Sequence, residues 1–250
     1  MYRFFVEEDQ ILDGKVHISG SDVNHIHNVL RMRPGEKILV STGGEKEYHC
    51  VLEEETAQEV TARIVMITDA DRELPCRITL FQGLPKGDKM ELIVQKAVEL
   101  GVSEVVPVEM QRSVVKLDVK KAEKRTERWQ AIAVSAAKQS KRMVIPEVSH
   151  PVSFSRALEL MQNKDIRLMP FEHAEGMKHT REVFECIRPG ESIGILIGPE
   201  GGISEEEVQE ALSCGTESIT LGRRILRTET AGMMVLSILA YLLEGRKEES

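Results

Sequence analysis

No two of the four cysteines, Cys50, Cys76, Cys186 and Cys214, stand at CxxC spacing, which excludes a disulfide framework and a cysteine zinc site and leaves ordinary reduced thiols. Long hydrophobic runs are missing as well. The longest, residues 231–243, is broken by Gly232, Ser237 and Tyr241 and falls short of the ~18 residues of a membrane span. The first ten residues carry Arg3, Glu7, Glu8 and Asp9 without an apolar core, so no signal peptide is expected and the location to expect is cytoplasmic. There is no GxxxxGK[ST] and no GxGxxG, which disfavours a bound triphosphate. His173 and His179 match no standard metal spacing, and no metal is expected. Internal repeats and low-complexity tracts are absent too.

What is present suffices for a core. A chain of 250 residues with 41% hydrophobic content forms one or two domains. Residues 3–6, 15–18, 37–41, 47–52 and 59–66 are short β-rich runs separated by turn clusters, a spacing that predicts a small barrel. One helical piece interrupts it, with Asp22 as N-cap and Val23, Ile26 and Leu30 at helical spacing. After the charged stretch 69–73 the pattern becomes strands alternating with helices, the signature of βα units on a parallel sheet. The predicted boundary is residue 72, giving domains 1–72 and 73–250.

In the second part, strands are predicted at 77–82, 105–108, 166–169, 192–197 and 217–221. Helices are predicted at 89–100, 119–139, 153–161 and 178–186, at a segment opening on Ser204 with Glu207 three residues on, and at 228–243. The last is apolar nearly all round, which implies cover on several sides, by its own sheet and by a second subunit.

The net charge of −8 speaks against nucleic acid, but it conceals a local reversal. Residues 112–142 hold ten basic and three acidic residues, net +7, whereas residues 1–72 hold eight and fourteen, net −6. An island of that sign points to RNA phosphate, with Arg112, Lys116, Lys141 and Arg142 heading it.

Two glycine-punctuated segments carry the chemistry: Leu196, Ile197, Gly198, Pro199, Glu200, Gly201, Gly202, and then Leu221, Gly222, Arg223, Arg224, Ile225, Leu226, Arg227, Thr228, Glu229, Thr230, Ala231. Each follows a short apolar strand and leads into a helix, the place where open α/β sheets bind ligands. Proline stiffens the first turn, and residues without Cβ let backbone groups approach a ligand. A carboxylate at Glu200 suits a cationic ligand group and equally suits a loop organiser.

These residues, with Asn24-His25, Val29 to Met32, Lys89-Met90-Glu91, Gln95-Lys96, Glu99 to Gly101 and Val115 to Asp118, closely resemble the RsmE family of 16S ribosomal RNA uridine-N3 methyltransferases, members of the knotted SPOUT class. The resemblance spans nearly the whole chain. It implies a PUA-like barrel at the N-terminus and an α/β domain with a parallel sheet whose last segments form a trefoil knot around S-adenosylmethionine. The cofactor residues it implies are Pro170 and Phe171, Leu196, Ile197, Gly198, Glu200, Gly201 and Gly202, and Leu221, Gly222, Ile225, Leu226 and Arg227. It further implies a homodimer, 16S ribosomal RNA or the small subunit as partner, and Arg3, His25 and Arg31 as RNA contacts in the small domain. Uracil N3 holds a proton at neutral pH, so a base or a charge stabiliser is required. Arg227 and Glu229, at the entrance of the last helix, are the candidates, although Glu229 there also suits the helix dipole. Two other readings stay open: 2′-O-ribose methylation of RNA, and an inactive RNA-binding or assembly protein on the same scaffold.

Overall fold

The computed structural model describes residues 1–248, so the last two positions of the expected second domain lie outside the described residues. The chain divides into two compact units, Met1–Glu73 with Ala137–Ile145, and Leu74–Ala136 with the chain from Pro146 onward.

The first unit is a six-stranded sheet. Its strands are β1 (Tyr2–Phe5), β2 (Ile11–Leu12), β3 (Lys15–Ser19), β4 (Lys37–Ser41), β5 (Lys46–Glu55) and β6 (Glu59–Asp69), in the order β1-β4-β5-β6-β3-β2. The path from β1 to β2 stays open, so the hydrogen bonds close no ring. Register shifts at His49/Cys50 and Leu52/Glu54 are the irregularities that bend a long strand and let a sheet curl. It curls around Phe4, Val16, Ile18, Ile26, Ile38 and Leu52.

The helical piece begins earlier than the sequence suggests. Gly20, at φ 70°, turns the chain into α1 (Ser21–Asn24), and a wider π turn follows over His25–Leu30. Asp22 therefore lies inside the helix and is not its cap. Its carboxylate instead accepts from Lys138 Nζ at 2.5 Å.

Residues 137–145 are fixed to this unit by buried polar groups. Arg3, 3% exposed, pairs with Glu47 and donates through Nη1 to the Arg142 carbonyl at 3.2 Å. Arg142, 6% exposed, pairs with Glu73, whose Oε1 also accepts from Met143 N at 2.8 Å. Ser41 Oγ donates to the Met143 carbonyl at 2.8 Å. The expectation that Arg3 and Arg142 contact RNA is thereby corrected, because both guanidinium groups are buried and committed to carboxylates. Burial also pushes the Arg3 pKa down to about 10, which leaves it charged at neutral pH.

The second unit is a parallel sheet. Its strands are β7 (Arg77–Gly83), β8 (Glu104–Glu109), β9 (Glu147–Val148), β10 (Val152–Ser153), β11 (Ile166–Pro170), β12 (Ser192–Ile197) and β13 (Glu217–Ile219). The order is β10-β8-β7-β12-β11-β13, with β9 also on β8, and every pairing is parallel. β7 is buried from Ile78 to Gly83, as a strand must be when helices cover both faces. On one face, Phe81, Val106, Met169 and Leu196 join Phe154, Leu158 and Met161 of α4 (Phe154–Gln162) and Val208 and Ala211 of α6 (Glu205–Ser213). α2 (Lys89–Glu99) packs with α7 (Thr228–Glu248), which also contacts β12. The capping box on Ser204 forms as its spacing predicts, with Ser204 Oγ accepting from Glu207 N at 3.2 Å and Glu207 Oε2 from Ser204 N at 3.0 Å.

One sequence expectation needs adjustment, at the end of β13. β13 stops at Ile219 rather than at residue 221, because Thr220 N bonds Thr180 Oγ1 at 3.0 Å, on α5 (Met177–Cys186), and not a strand neighbour. α7 is buried along one face, at Val235, Leu236, Leu239 and Leu243, while Tyr241 is 81% exposed. Within the chain, the part of the expected cover that comes from its own unit lies on one side of this helix.

Candidate active site

β12, β11 and β13 are neighbours in the sheet, and the segments leaving their carboxyl ends converge. They line a cavity of ≈ 830 Å³, within the ~300–1,000 Å³ usual for small-molecule sites. Each expected cofactor residue borders this cavity except Leu196, which is fully buried in the core beneath it. That correction follows from strand alternation: Leu196 points to the α4 and α6 side, and Ile197 is the residue at the opening.

Two glycines of the first loop, Gly198 and Gly201, are required by packing of the loop on its own surroundings. A Cβ on Gly198 would stand 2.8 Å from Ile203 Cγ1 and 3.1 Å from Ile203 N, and one on Gly201 2.9 Å from Arg112 Cβ. Gly83, at the end of β7, faces Pro199 in the same way, with 2.7 Å between such a Cβ and Pro199 N. In the second loop Gly222 is needed for its backbone, at φ 103°, with open space around its Cα. Gly202, at φ 72° with no atom nearer than 3.8 Å to such a Cβ, is the matching case in the first loop, and both glycines border the cavity.

A buried relay ties the first loop to the last helix. Gln82, fully buried, donates through Nε2 to Thr228 Oγ1 at 2.8 Å, and that hydroxyl donates to the Gly198 carbonyl at 2.6 Å. Thr228→Val keeps the shape and removes both bonds, stranding a buried amide N–H and a carbonyl. The expected loss is about 1–3 kcal/mol of unfolding free energy, read from the urea midpoint of the variant against the parent.

Three charged side chains from three segments meet at the wall. Lys89, in the first turn of α2, lines the cavity, and its Nζ stands 2.8 Å from Glu200 Oε1 and 3.5 Å from Glu229 Oε2. Glu200 also accepts from Lys86 N at 3.1 Å. The hydrogen bond to Glu200 raises the Lys89 pKa against the opposing effect of burial. Burial opposes ionisation of Glu200 in turn, but the Lys89 ammonium and nearby N–H groups outweigh it and hold that carboxyl below its usual range. Glu229 is not among the cavity-lining residues. Its Oε2 is buried without a hydrogen-bond partner, and Lys89 is the group through which it can act on the cavity.

Arg227 borders the cavity and is exposed, as are Arg223 and Arg224, and none of the three has an ion-pair partner among the described residues. Arg112, expected with the RNA island, borders the same cavity and donates through Nη1 to the Gly201 carbonyl at 3.2 Å. The island is less uniformly free than its charge count suggests, since Arg128 pairs with Glu91 at 2.8 Å, Lys138 with Asp22, and Lys121 with Asp118 at 3.0 Å. Lys116 and Lys141 are exposed, as is Arg31, while His25 is half-buried. Among the described residues no group of three His, Cys, Asp or Glu side chains could hold a metal, and no helix is long and apolar enough to cross a membrane.

Sequence reasoning missed Lys89 as a site residue, although it stands in the quoted Lys89-Met90-Glu91, and it missed Gln82 and Gly83 altogether. Nothing at their positions marks them, because their partners come from distant segments.

Family models of the RNA methyltransferase domain and of the RNA methyltransferase PUA domain match residues 72–240 and 18–65. A protein of Bacillus subtilis (strain 168) named ribosomal RNA small subunit methyltransferase E is 39% identical over 255 residues, covering 98% of this chain and 98% of that one. A protein of the same name from Aquifex aeolicus (strain VF5) is 32% identical, covering 96% of this chain and 99% of its own length. The crystal structure of a ribosomal RNA small subunit methyltransferase E from Neisseria gonorrhoeae, bound to S-adenosyl methionine, is similar with a TM-score of 0.84 and 35% identity, over 97% of this chain and 98% of that one.

Proposed function

The chain belongs to the family of ribosomal RNA small subunit methyltransferase E, and from that premise we propose that it transfers a methyl group from S-adenosylmethionine to N3 of a uridine in 16S ribosomal RNA. The observation that carries the reading is the cavity at the ends of β11, β12 and β13, whose lining suits this cofactor. Phe171, Ile197, Leu221 and Leu226 offer apolar walls to a purine, and Glu200, held ionised, faces the cavity as a counter-charge for a sulfonium. When bound, S-adenosylmethionine supplies an electrophilic methyl carbon on a sulfur that leaves with the bonding electron pair.

The protein's part is positioning and charge. The Gln82–Thr228–Gly198 relay fixes the first loop against α7. Arg227, with Arg223 and Arg224, stands at the mouth without an ion-pair partner among the described residues and holds phosphates of the RNA strand, while Glu229 works through Lys89. The backbone passes from β13, at the sheet edge, back to the centre, where Thr228 meets Gly198 and Gln82. That return supports a trefoil knot, an exception to the rule that chains do not thread their own loops. The exposed side of α7 around Tyr241 supports a homodimer.

The test is mass mapping of methylated nucleosides in 16S RNA from a deletion strain, before and after treatment with the purified protein and S-adenosylmethionine. A gain of 3-methyluridine is expected. A gain of 2′-O-methyluridine alone, or no change, overturns the reading.

RNA contact by the remaining island is tested separately. Lys116→Ala with Lys141→Ala removes two exposed charges, so the slope of log affinity for 16S RNA against log salt should fall by roughly 0.7 per lost phosphate contact. Cofactor affinity, measured by calorimetry, should not move.

A further inference from the structure

Lys89 opens α2 at the cavity wall and has no role in the reading above beyond linking two carboxylates. An ammonium carries three N–H donors and no acceptor. One is taken by Glu200 at 2.8 Å and a second faces Glu229 at 3.5 Å, from two segments that approach Lys89 independently. A long lysine side chain is ordinarily free to swing, but this one is held from two directions and only 32% exposed. Its third donor is left for whatever enters the cavity.

We propose that Lys89 is a catalytic residue of the methyl transfer, donating its third N–H to a carbonyl oxygen of the target uracil while N3 carries negative charge. The inference rests on the uridine-N3 reading. Loss of the N3 proton leaves a charge shared by N3 and the two flanking carbonyl oxygens, and a fixed donor aimed at one of them stabilises that charge where it develops. The proton leaves to water through the open mouth. N3 then uses its lone pair to form the bond to the methyl carbon of the sulfonium donor, as the carbon–sulfur bond breaks and its electron pair stays on sulfur. Lys89 keeps all three protons throughout, and Glu200 and Glu229 remain carboxylates. The two carboxylates explain why the lysine is a donor and not a base: beside them it stays protonated. Arg227, exposed and without an ion-pair partner among the described residues, lacks such a mounting and suits a phosphate better than a carbonyl oxygen.

The experiment compares parent, Lys89→Met and Lys89→Arg in single-turnover methyl transfer to small subunits whose RNA contains either uridine or 5-fluorouridine. Fluorine makes the N3 proton more acidic, so a residue that stabilises the N3 anion matters less on that substrate. Lys89→Met should lose on the order of 100-fold with uridine and markedly less with 5-fluorouridine, while Lys89→Arg recovers part of the loss. Cofactor affinity by calorimetry, which also reports on folding, should fall far less than the rate with uridine, because Lys86 N still holds Glu200 at 3.1 Å. Lys89→Gln, closer in polarity, takes the place of Lys89→Met if that variant does not fold. An equal loss on both substrates, no loss, or a loss accounted for by weaker cofactor binding overturns the role of Lys89. A parent enzyme that produces no 3-methyluridine overturns the N3 reading instead, and this inference with it.

Discussion

Arg3→Met is expected to destabilise the first unit by about 3–5 kcal/mol, the cost of leaving one member of a buried ion pair alone. Glu47, only 4% exposed in its side chain, would lose its innermost partner. Arg72 remains 3.3 Å from the same carboxylate but is 42% exposed, so its help is screened by solvent and the lower half of the range is the better expectation. The Arg142 carbonyl would also lose the donor that Arg3 supplies at 3.2 Å. Urea unfolding followed by circular dichroism measures the effect, and Arg3→Met with Glu47→Leu should regain most of the loss, since an apolar pair of similar volume commonly matches a buried ion pair. A variant of parental stability with tenfold weaker affinity for 16S RNA would return Arg3 to the RNA surface.

Gly198→Val should weaken cofactor binding on the order of 100-fold, from an overpacking cost near the upper end of about 1–3 kcal/mol. The added Cβ meets Ile203 Cγ1 at 2.8 Å and backbone atoms of Gly202 and Ile203 at 3.1 Å. A flexible side-chain tip could swing away, but the backbone atoms cannot. The loop must therefore move, and the Gly198 carbonyl would be drawn off the Thr228 hydroxyl that holds it at 2.6 Å. Calorimetry with S-adenosylmethionine reads the loss directly. Gly222→Ala is the informative companion, because it meets nothing within 4 Å and strains only a backbone at φ 103°, so its cost should be smaller, around 1 kcal/mol. Equal effects from the two substitutions would contradict the steric account of Gly198.

The sequence made local features legible and distant ones not. The capping box at Ser204, the buried face of α2 and the parallel sheet all follow from neighbours a few residues apart, which is the range over which periodicity and capping act. The two glycine segments do line one cavity, but close approach to a ligand is not what two of their glycines answer to. Gly198 and Gly201 accommodate Ile203 and Arg112, and no feature of the turn itself names the second of those neighbours. Charge counting erred for a related cause. It treated Arg142 and Lys138 as free because Glu73 and Asp22, their partners, lie far away in the sequence. Lys89 was overlooked on the same ground, since Glu200 and Glu229 reach it only through tertiary structure.

The assignment of residues 137–145 to the first unit, across an intervening part of the second, has a consequence for the order of synthesis. A ribosome that has finished Glu73 has delivered a domain lacking the acceptors for Arg3 and Ser41, namely the carbonyls of Arg142 and Met143. At about 5–20 residues per second, the missing stretch emerges roughly 4 to 15 seconds later. The N-terminal sheet therefore waits for the chain that completes it, and during that interval the Arg3 guanidinium and the Ser41 hydroxyl are open to whatever the nascent chain encounters first.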